Sequence, residues 1–489
     1  MKDIDLSTMT IKKAHEGMKN GHFSAVQLAE AYLKEISKKN KNINAFLEVY
    51  DDVLNQALKA DEMIKSARAK ENGENKIGKM SILTGIPFAI KDNILIQGKK
   101  ASSASKILEN YKAVYDATVI SKLKKEGVVF IGRTNMDEFA MGGSTENSAF
   151  GTTKNPHDLK RVPGGTSGGS TASVASFMSL CALGSDTGGS VRQPSAFCGV
   201  VGLKPTYGAV SRYGLMSAVS SFDQIGPIAK TVSEVEIIFN AIKGQDKNDG
   251  TTIGENTYLA KRIGQKKPII GIPTFFKDIG GIDKDILLNF IGKIEYLKTL
   301  GYEVIDIELK HAAQALPVYY ILNFAEVSSN LARFDGVKYG LYKDGKDGID
   351  DYFETRGAGF GKEARRRILL GTYVLSSGYY DAYYNRANAV RKIIIEDFLK
   401  AFEKVDIIMT PTTPAPAFKI GEKTFDPVAM YLEDIFTVTA NLTGMPAMSI
   451  PSGYKEIERK KLPLGLQMTA RHGDEKTLFE VGKDFLGEL

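Results

Sequence analysis

Nucleophilic catalysis is the chemistry suggested by residues 184–190, which read GSDTGGS. The hydroxyl of Ser190 follows two glycines in this run, and glycines let successive backbone N–H groups turn toward one point. A nest of N–H groups of this kind can stabilise an oxyanion. Ser190 is therefore a candidate nucleophile, and the backbone at Gly188 and Gly189 is a candidate donor to the charge that its attack creates.

A candidate base, Lys91, lies upstream in the stretch GIPFAIKDN. The apolar residues before it predict a buried strand, so the lysine stands at the carboxyl end of that strand in largely apolar surroundings. Burial disfavours a charged ammonium group and lowers its pKa, which brings the amine toward the range of a general base.

The same stretches have other interpretations. Ser190 is followed by VRQP, which is typical of a turn that enters a helix, and on local grounds alone a helix N-cap is favoured over a nucleophile. The run GTSGG at 165–169 matches the GxSxG nucleophile elbow, and His472 could complete a triad. An elbow follows a buried strand, whereas the preceding NPHDLKRVP is polar and broken by proline, so we disfavour the elbow.

Composition excludes several function classes. A net charge of +6, from 64 basic and 58 acidic residues in 489, is weak for a dedicated nucleic-acid binder. No stretch matches the phosphate-binding pattern GxxxxGK[ST], and the five histidines form neither HExxH nor a Cys/His cluster, so we expect no ATP or zinc site.

The number of cysteines and the hydropathy of the sequence predict the cellular compartment of the protein. The two cysteines, Cys181 and Cys198, are expected to be free core thiols in a reducing compartment. The N-terminus has no apolar core of a signal peptide, and no apolar run approaches the roughly 18 residues of a membrane span. We therefore expect a cytoplasmic protein with no membrane contact.

The elements that must position Lys91 and Ser190 alternate between helix and strand. Residues 1–75 are predicted to be mainly helical, with one helix capped at Ser24. The stretch ILTGIPFAIKDNI predicts a strand and a turn, and TVISKLKKEGVVFIGRTN predicts a helix and then a strand, which indicates an α/β fold. Residues 143–214 are rich in Gly, Ser and Thr, which favours a site where backbone approaches a ligand.

Alternation continues in the second half. The stretches KPIIGIP, YEVIDIEL, VDIIMTPT and LPLGLQMTA predict strands, and LLNFIGKIEYLKTLG and EKTLFEVGKDFL predict helices. We also expect helix over about 311–340, a polar Gly- and Asp-rich loop over about 342–362, and one long helix over about 363–403.

The longest motif is PGGTSGGSTASVASFMSLCALGSDTGGSVRQPSAFCGVVGLKPTYG. It closely resembles the signature of the amidase-signature family, and the Lys91 segment resembles that family's lysine motif. The resemblance implies a single α/β domain over 1–489, with a twisted mixed β-sheet flanked by helices on both faces. Within it we expect an N-terminal helical segment over 1–75, a catalytic core over 80–235, and the remaining sheet and substrate-binding helices over 236–489.

Further stretches narrow the resemblance. They are similar to the glutamine-hydrolysing subunits of tRNA-dependent amidotransferases, and they include MDEFAMGGSTENSAFG, VSRYGLMSAVSSFDQIGP, EVSSNLARFDGVKYG and NLTGMPAMSIP. This implies that glutamine is hydrolysed and ammonia released, with no cofactor in this chain. A partner B subunit would use the ammonia, with ATP and Mg²⁺, to amidate Glu-tRNA(Gln) and often Asp-tRNA(Asn). That subunit would bind most of the tRNA, and a small C subunit would tie the complex together.

Catalytic roles carry over motif by motif. The resemblance makes Ser190 the nucleophile and Lys91 the base behind it, with a second hydroxyl between them. Most relatives place serine in that slot, whereas this chain has Thr166, followed by Ser167. The family holds the residue behind a cis peptide bond, so we expect the Gly165–Thr166 bond to be cis. We favour proton relay through Thr166 over relay through Ser167.

Substrate-binding roles carry over in the same way. The resemblance implies that backbone N–H groups of Thr187, Gly188 and Gly189 hold the oxyanion. In GKEARRRILLGT it assigns Arg367 to the α-carboxylate of glutamine, which a planar guanidinium can bind through two hydrogen bonds. In MYLEDIFTVTANLTG it assigns Asp434 to the α-ammonium group. Without the resemblance, each would be interpreted as a structural ion pair.

Two alternative functions remain. One is a stand-alone amidase that acts on small amides with the same triad, and the assignments of Arg367 and Asp434 argue against it. The other is a catalytically silent scaffold for the B subunit, which the threonine at position 166 favours and the presence of Lys91 and Ser190 disfavours.

Overall fold

A computed structural model of the chain describes residues 4–71, 80–254, 257, 267–277 and 280–488. The helices in these ranges are α1 (Ile11–Asn20), α2 (Ala25–Ile43), α3 (Val53–Glu71), α4 (Thr118–Lys125), α5 (Gly168–Ala175), α6 (Arg192–Cys198), α7 (Val232–Ile242), α8 (Lys284–Thr299), α9 (Ala315–Leu331), α10 (Gly348–Gly359), α11 (Lys362–Leu375), α12 (Arg386–Ala401), α13 (Pro427–Tyr431), α14 (Val438–Thr443) and α15 (Glu475–Leu486). The strands are β1 (Phe46–Val49), β2 (Pro87–Lys91), β3 (Val129–Thr134), β4 (Cys181–Asp186), β5 (Val201–Lys204), β6 (Gln224–Ala229), β7 (Ile270–Pro273), β8 (Val304–Ile307), β9 (Ile407–Pro411), β10 (Ala447–Ile457) and β11 (Lys460–Ala470).

The strands form an 11-stranded sheet in the order β1-β3-β2-β4-β6-β5-β10-β11-β9-β7-β8. The strand β2 runs parallel to both of its neighbours, β3 and β4, whereas β4 and β6 are antiparallel. At the other end of the sheet, β7 runs parallel to β8 and β9. The predicted mixed sheet flanked by helices is confirmed.

Around β9, two hydrophobic cores lie on opposite faces of the sheet, because successive side chains of a strand point to opposite sides. Ile407 and Met409 of β9 belong to one core, together with side chains of α1, α2, α3, α7 and α15. Ile408 between them belongs to the other core, with side chains of α9, α11, α12 and α14. Helices therefore cover both faces.

The N-terminal segment is mainly helical, as predicted, but it also contains β1, the edge strand of the sheet. The Ser24 hydroxyl accepts a hydrogen bond from the N–H of Gln27 at 3.1 Å, and the Gln27 side chain accepts from the N–H of Ser24 at 2.8 Å. This capping box begins α2. The N–H of Ile11 donates to buried Glu234 of α7 at 2.9 Å. Of the predicted segment 1–75, residues 1–3 and 72–75 lie outside the described ranges.

The predicted loop over 342–362 is wrong, because it contains α10. Glycines such as Gly359 are poor helix formers, which predicts a loop. The fold overrides that preference, since a Cβ atom on Gly359 would lie 2.5 Å from Ile107 Cδ1. Close packing of α10 on the segment Lys106–Leu108 thus requires the residue that weakens the helix.

Two predicted helices are also too long. The helix predicted over 311–340 ends at Leu331, before the polar stretch RFDG. The helix predicted over 363–403 is α11 and α12, separated by an extended Ser376 (φ −68°, ψ 150°) and a π-helical turn over Asp381–Asn385. The intervening Ser-Ser-Gly has low helix propensity, which explains the break. None of the helices in the described ranges has the length and apolar character needed to cross a membrane.

Candidate active site

Parallel pairing of β2 and β4 brings the two candidate chemical segments together. Parallel neighbours end at the same edge of a sheet, and here β2 ends at Lys91 while β4 ends at Asp186, four residues before Ser190. The prediction that Lys91 stands at the carboxyl end of a buried strand is confirmed.

The Lys91 side chain is fully buried and points at the segment that precedes α5. Its Nζ atom lies 2.8 Å from Thr166 Oγ1, 2.8 Å from Ser167 Oγ and 3.2 Å from the carbonyl oxygen of Ser185. The amine is therefore held by three oxygen atoms on two segments of chain.

Burial lowers the pKa of Lys91 to about 7. The carboxylates of Asp137, Asp186 and Asp223 oppose this effect, because negative charge stabilises the ammonium form. A large fraction of the amine is neutral near physiological pH, as a general base requires.

Thr166 is buried and its backbone is fixed on both sides. The Gly165–Thr166 peptide bond is cis, as predicted. The N–H of Gly165 donates to Gln193 Oε1 at 2.9 Å, and the carbonyl oxygen of Thr166 accepts from the N–H of Asp137 at 3.3 Å. These contacts fix where the Thr166 hydroxyl stands relative to Lys91.

Ser190 is 7% exposed and lies in the loop between β4 and α6. The N-terminus of α6 is capped by Asp186, whose Oδ2 accepts from the N–H groups of Val191 at 3.1 Å and Arg192 at 3.4 Å. The interpretation of Ser190 as a helix N-cap is therefore wrong. Among the described residues its hydroxyl has no hydrogen-bond partner, so it is available for chemistry.

Asp186 itself is held by a fully buried ion pair. Its Oδ1 lies 2.9 Å from Nη2 of Arg192, and neither side chain is exposed. Burial alone would raise the pKa of Asp186, but the guanidinium outweighs it and holds that pKa below its ordinary value. The carboxylate that caps α6 thus stays ionised.

The glycines before Ser190 are anchored individually. The carbonyl oxygen of Gly188 accepts from Thr437 Oγ1 at 2.5 Å, and the N–H of Gly189 donates to Asp186 Oδ1 at 3.0 Å. Gly189 has a φ of 138°, which favours glycine. Because the Gly189 N–H is engaged by a carboxylate, the predicted oxyanion donors narrow to the N–H groups of Thr187 and Gly188.

Thr166 and Ser167 differ in how many hydrogen bonds their hydroxyls already make. Besides contacting Lys91, Ser167 Oγ donates to the carbonyl oxygen of Ser185 at 3.2 Å and accepts from its N–H at 3.3 Å. Thr166 Oγ1 contacts Lys91 alone among the described residues, so it retains capacity for a second partner. No hydrogen bond joins the hydroxyls of Thr166 and Ser190 within the described part of the chain.

Arg367 lies on the inner face of α11 and is 3% exposed. Its Nε donates to Glu363 Oε1 at 2.9 Å and its Nη1 donates to Asn323 Oδ1 at 3.0 Å. The guanidinium also lies 5.6 Å and 5.5 Å from the ring centres of Tyr320 and Tyr431. The buried guanidinium is thus paired with the Glu363 carboxylate and enclosed by aromatic rings.

Asp434 forms hydrogen bonds to Tyr320, which packs against Arg367, and to Thr437, which contacts the Ser190 loop (residues 187–191). Its Oδ2 accepts from Tyr320 Oη at 2.7 Å, and its carbonyl oxygen accepts from the N–H of Thr437 at 3.0 Å. Burial raises the pKa of the Asp434 carboxyl to about 7, although the Tyr320 hydrogen bond opposes the shift. The structure thus brings the two predicted substrate residues into one cluster beside the Ser190 loop.

Two residues of this cluster were missed in the sequence. Asn323 accepts from Arg367 and donates to Tyr319 Oη at 3.2 Å. Tyr319 in turn covers Gly188, since a Cβ atom on that glycine would lie 2.3 Å from the hydroxyl. Both residues lie on α9, and their spacing there carries no signal that distinguishes them from core positions.

The geometry around Ser167 does not support the GxSxG elbow. The elbow at 165–169 has no strand immediately before it, and Ser167 has no histidine partner among the described residues.

Cys181 and Cys198 are buried free thiols, as predicted. In the part of the chain that the structure describes, no three His, Cys, Asp or Glu side chains are grouped so that they could hold a metal ion.

The chain is similar to known proteins along nearly its whole length. A family model described as Amidase matches residues 27–479. The A subunit of the glutamyl-tRNA(Gln) amidotransferase of Thermoanaerobacter pseudethanolicus is 49% identical over 490 residues, which covers 99% of this chain and 96% of that protein. The corresponding protein of Carboxydothermus hydrogenoformans, which has the same name, is also 49% identical, over 488 residues, 99% of this chain and 97% of that protein.

Two solved structures have the same fold as this chain along nearly its whole length. The crystal structure of the A subunit of glutamyl-tRNA(Gln) amidotransferase from Thermotoga maritima has a TM-score of 0.79 and 39% identity, covering 99% of this chain and 95% of that one. The peptide amidase from Stenotrophomonas maltophilia has a TM-score of 0.80 at 24% identity, covering 99% of this chain and 97% of that one, and this likeness concerns the fold alone.

Proposed function

The chain belongs to the amidase family, and from this premise we propose that it is the glutamine-hydrolysing subunit of a tRNA-dependent amidotransferase. The observation that carries the proposal is the position of Arg367 and Asp434, which both contact Tyr320 beside the loop that carries Ser190. A free amino acid has one carboxylate and one ammonium group at its α-carbon, and this cluster supplies one side chain of opposite charge for each.

The chemistry begins with a proton relay. Neutral Lys91 accepts the proton of Thr166, Thr166 accepts the proton of Ser190, and Ser190 Oγ attacks the side-chain amide carbon of glutamine. This step requires the Ser190 hydroxyl to turn toward Thr166. Because Thr166 has capacity for a second hydrogen bond, it is a better relay than Ser167, whose hydroxyl already binds Ser185.

The tetrahedral intermediate then collapses. The N–H groups of Thr187 and Gly188 stabilise its oxyanion, and protonated Lys91 returns a proton through Thr166 to the leaving nitrogen. The C–N bond breaks, ammonia leaves, and a γ-glutamyl ester remains on Ser190. Water, deprotonated through the same relay, attacks the ester, so that glutamate leaves and the Ser190 hydroxyl is restored.

The remaining parts of the reaction belong to partners. We assign use of ATP and Mg²⁺, and most contacts with misacylated tRNA, to a B subunit, and assembly to a small C subunit. The absence of a phosphate-binding GxxxxGK[ST] motif from the sequence supports this division. We place the complex in the cytoplasm and treat residues 1–489 as one functional unit, with the catalytic core over 80–235.

A glutaminase assay of the purified chain, alone and with its B and C partners, tests the proposal. We expect glutamate formation with the partners present. Hydrolysis of simple aliphatic or aryl amides in preference to glutamine would favour a stand-alone amidase, and the absence of any hydrolysis by the assembled complex would favour a silent scaffold.

Replacing Arg367 with alanine is expected to raise the KM for glutamine with a smaller effect on kcat. The lost contact is to a carboxylate far from the reacting bond, so ground state and transition state lose it alike. Hydrogen bonds to charged groups contribute about 1.5–3 kcal/mol, which corresponds to an increase in KM of about 10- to 150-fold. Steady-state kinetics would measure it.

The neighbouring Arg366 provides the control for that substitution. Its side chain is more exposed and pairs with the same Glu363, so Arg366→Ala removes a charge without removing the buried guanidinium. We expect its KM to stay within about threefold of the native value. An unchanged KM in Arg367→Ala, or a larger change in Arg366→Ala, would contradict the assignment.

The pH dependence of kcat/KM should show the titration of two groups, Lys91 and Asp434. Lys91 must be neutral and Asp434 must be ionised, and both active fractions increase as pH rises through about 7. Below pH 7 the slope of log kcat/KM against pH should therefore lie between 1 and 2, and Asp434→Asn should reduce it to 1. A profile that is flat between pH 5 and 9 would exclude Lys91 as the base.

A further inference from the structure

Asp223 is a buried carboxylate that the proposed reaction does not use directly. It lies immediately before β6, after the loop of residues 217–222. Its Oδ1 accepts a hydrogen bond from Thr187 Oγ1 at 2.6 Å. Its Oδ2 accepts from Ser217 Oγ at 2.7 Å and from the N–H groups of Ala218 at 2.9 Å and Val219 at 3.0 Å.

The two oxygens of this carboxylate therefore serve different segments. Oδ2 organises the loop before β6, whereas among the described residues Oδ1 accepts a hydrogen bond from the side chain of Thr187 alone, the first residue after β4. The next two residues are held by other groups: Gly188 by Thr437 and Gly189 by Asp186. Among the described residues, Asp223 is the sole hydrogen-bond partner of the Thr187 side chain.

We propose that Asp223 is a positioning residue for the oxyanion hole, acting through the Thr187 hydroxyl to orient the N–H groups of Thr187 and Gly188. The inference rests on the proposed function, because it concerns the charge that develops when Ser190 attacks. An N–H group stabilises an oxyanion only when it is aimed at the place where the charge forms. A loop residue without an anchor would lose that orientation, and the rest of the fold would remain intact.

Paired hydroxyl substitutions separate this role from general stability. Thr187→Val removes the bond to Oδ1, and Ser217→Ala removes a bond to Oδ2 of the same carboxylate. In the assembled enzyme, we expect Thr187→Val to lower kcat by about 10²-fold at nearly unchanged KM, within the range for loss of an oxyanion donor. Ser217→Ala should stay within about threefold of native kcat, and Thr187→Ser, which restores the hydroxyl, should recover most of the kcat that Thr187→Val loses.

The pH profile of kcat provides a second test, because it depends on the charge of Asp223. Asp223 is one of three carboxylates, with Asp137 and Asp186, that raise the pKa of Lys91 against the effect of burial. Asp223→Asn removes the charge, so the acid limb of the pH profile of kcat should move to lower pH. Thr187→Val keeps the charge and should leave that limb where it is. If Asp223→Asn does not fold, the hydroxyl variants still decide the question.

A fluorophosphonate probe makes the result independent of glutamine. The probe phosphonylates an active serine, forming an Oγ–P bond and releasing fluoride, and the oxyanion hole assists this step as well. Labelling of wild-type Ser190 without glutamine hydrolysis would refute the proposed function, while labelling rates of the variants would still test Asp223. Equal loss in Thr187→Val and Ser217→Ala, or no loss in Thr187→Val, would overturn the proposal for Asp223.

Discussion

Replacing Ser190 with alanine is expected to reduce glutamine hydrolysis by about 10⁴- to 10⁶-fold, because the only nucleophile of the proposed mechanism is lost. The fold should be unaffected. The hydroxyl has no hydrogen-bond partner among the described residues, and Asp186 rather than Ser190 caps α6. Glutamate formation by the assembled complex measures activity, and the midpoint of thermal unfolding measures stability.

Ser195 offers a matched control in the helix that follows. It is also a buried serine, but its hydroxyl donates to the carbonyl oxygen of Val191 at 2.7 Å, inside the helix. Ser195→Ala should keep activity within about threefold of the native value when both variants are compared in one assay. Turnover by Ser190→Ala at even one tenth of the native rate would show that another residue is the nucleophile.

Replacing Thr166 with valine should lower kcat by about 10²- to 10⁴-fold, the range typical of general acid–base steps. Valine keeps the shape of threonine and removes the hydroxyl that carries the proton between Ser190 and Lys91. Thr166→Ser should keep or raise activity, because the hydroxyl remains and the methyl group that restricts its rotation is gone. Single-turnover measurements of acyl-enzyme formation would locate the loss in the chemical step.

Ser167→Ala is the control for the relay, since Ser167 lies at the same 2.8 Å from Lys91 as Thr166 does. Its effect should be milder, although Lys91 and Ser185 lose a partner that helps to hold them. If Ser167→Ala is inactive while Thr166→Val still turns over, the proton passes through Ser167 and the assignment of the second hydroxyl is one residue out of place.

Local patterns were sufficient where neighbours in sequence decide the structure. The capping box at Ser24, the buried strand that ends at Lys91 and the final amphipathic helix depend on residues within a few positions of each other. The motif around Ser190 is similarly compact, so its candidate chemistry could be stated from residue types alone. Arg367 and Asp434 had no such local signal, and they were assigned by resemblance.

Errors arose where distant parts of the chain overrule local preference. Helix α10 forms from a Gly- and Asp-rich stretch, and its Gly359 packs so closely on Ile107, a residue far away in sequence, that a larger side chain would clash. The helix N-cap interpretation of Ser190 was locally favoured, but the side chain of Asp186 occupies that role. In both cases the free energy that decides the outcome comes from contacts that the local pattern does not contain.

The pattern of the sequence predicted an α/β fold and the strand that carries Lys91, and its resemblance to a family supplied the mixed sheet and the hydroxyl groups near that lysine. Tertiary structure alone decided which groups meet: Lys91 contacts Thr166 across 75 residues, and Tyr320 contacts Asp434 across 114. It also lowered the pKa of Lys91 to about 7 and surrounded that amine with three buried carboxylates. The reason is physical, since both desolvation and Coulomb interactions depend on distances in space, and these are set only when the sheet and its two covering layers have packed.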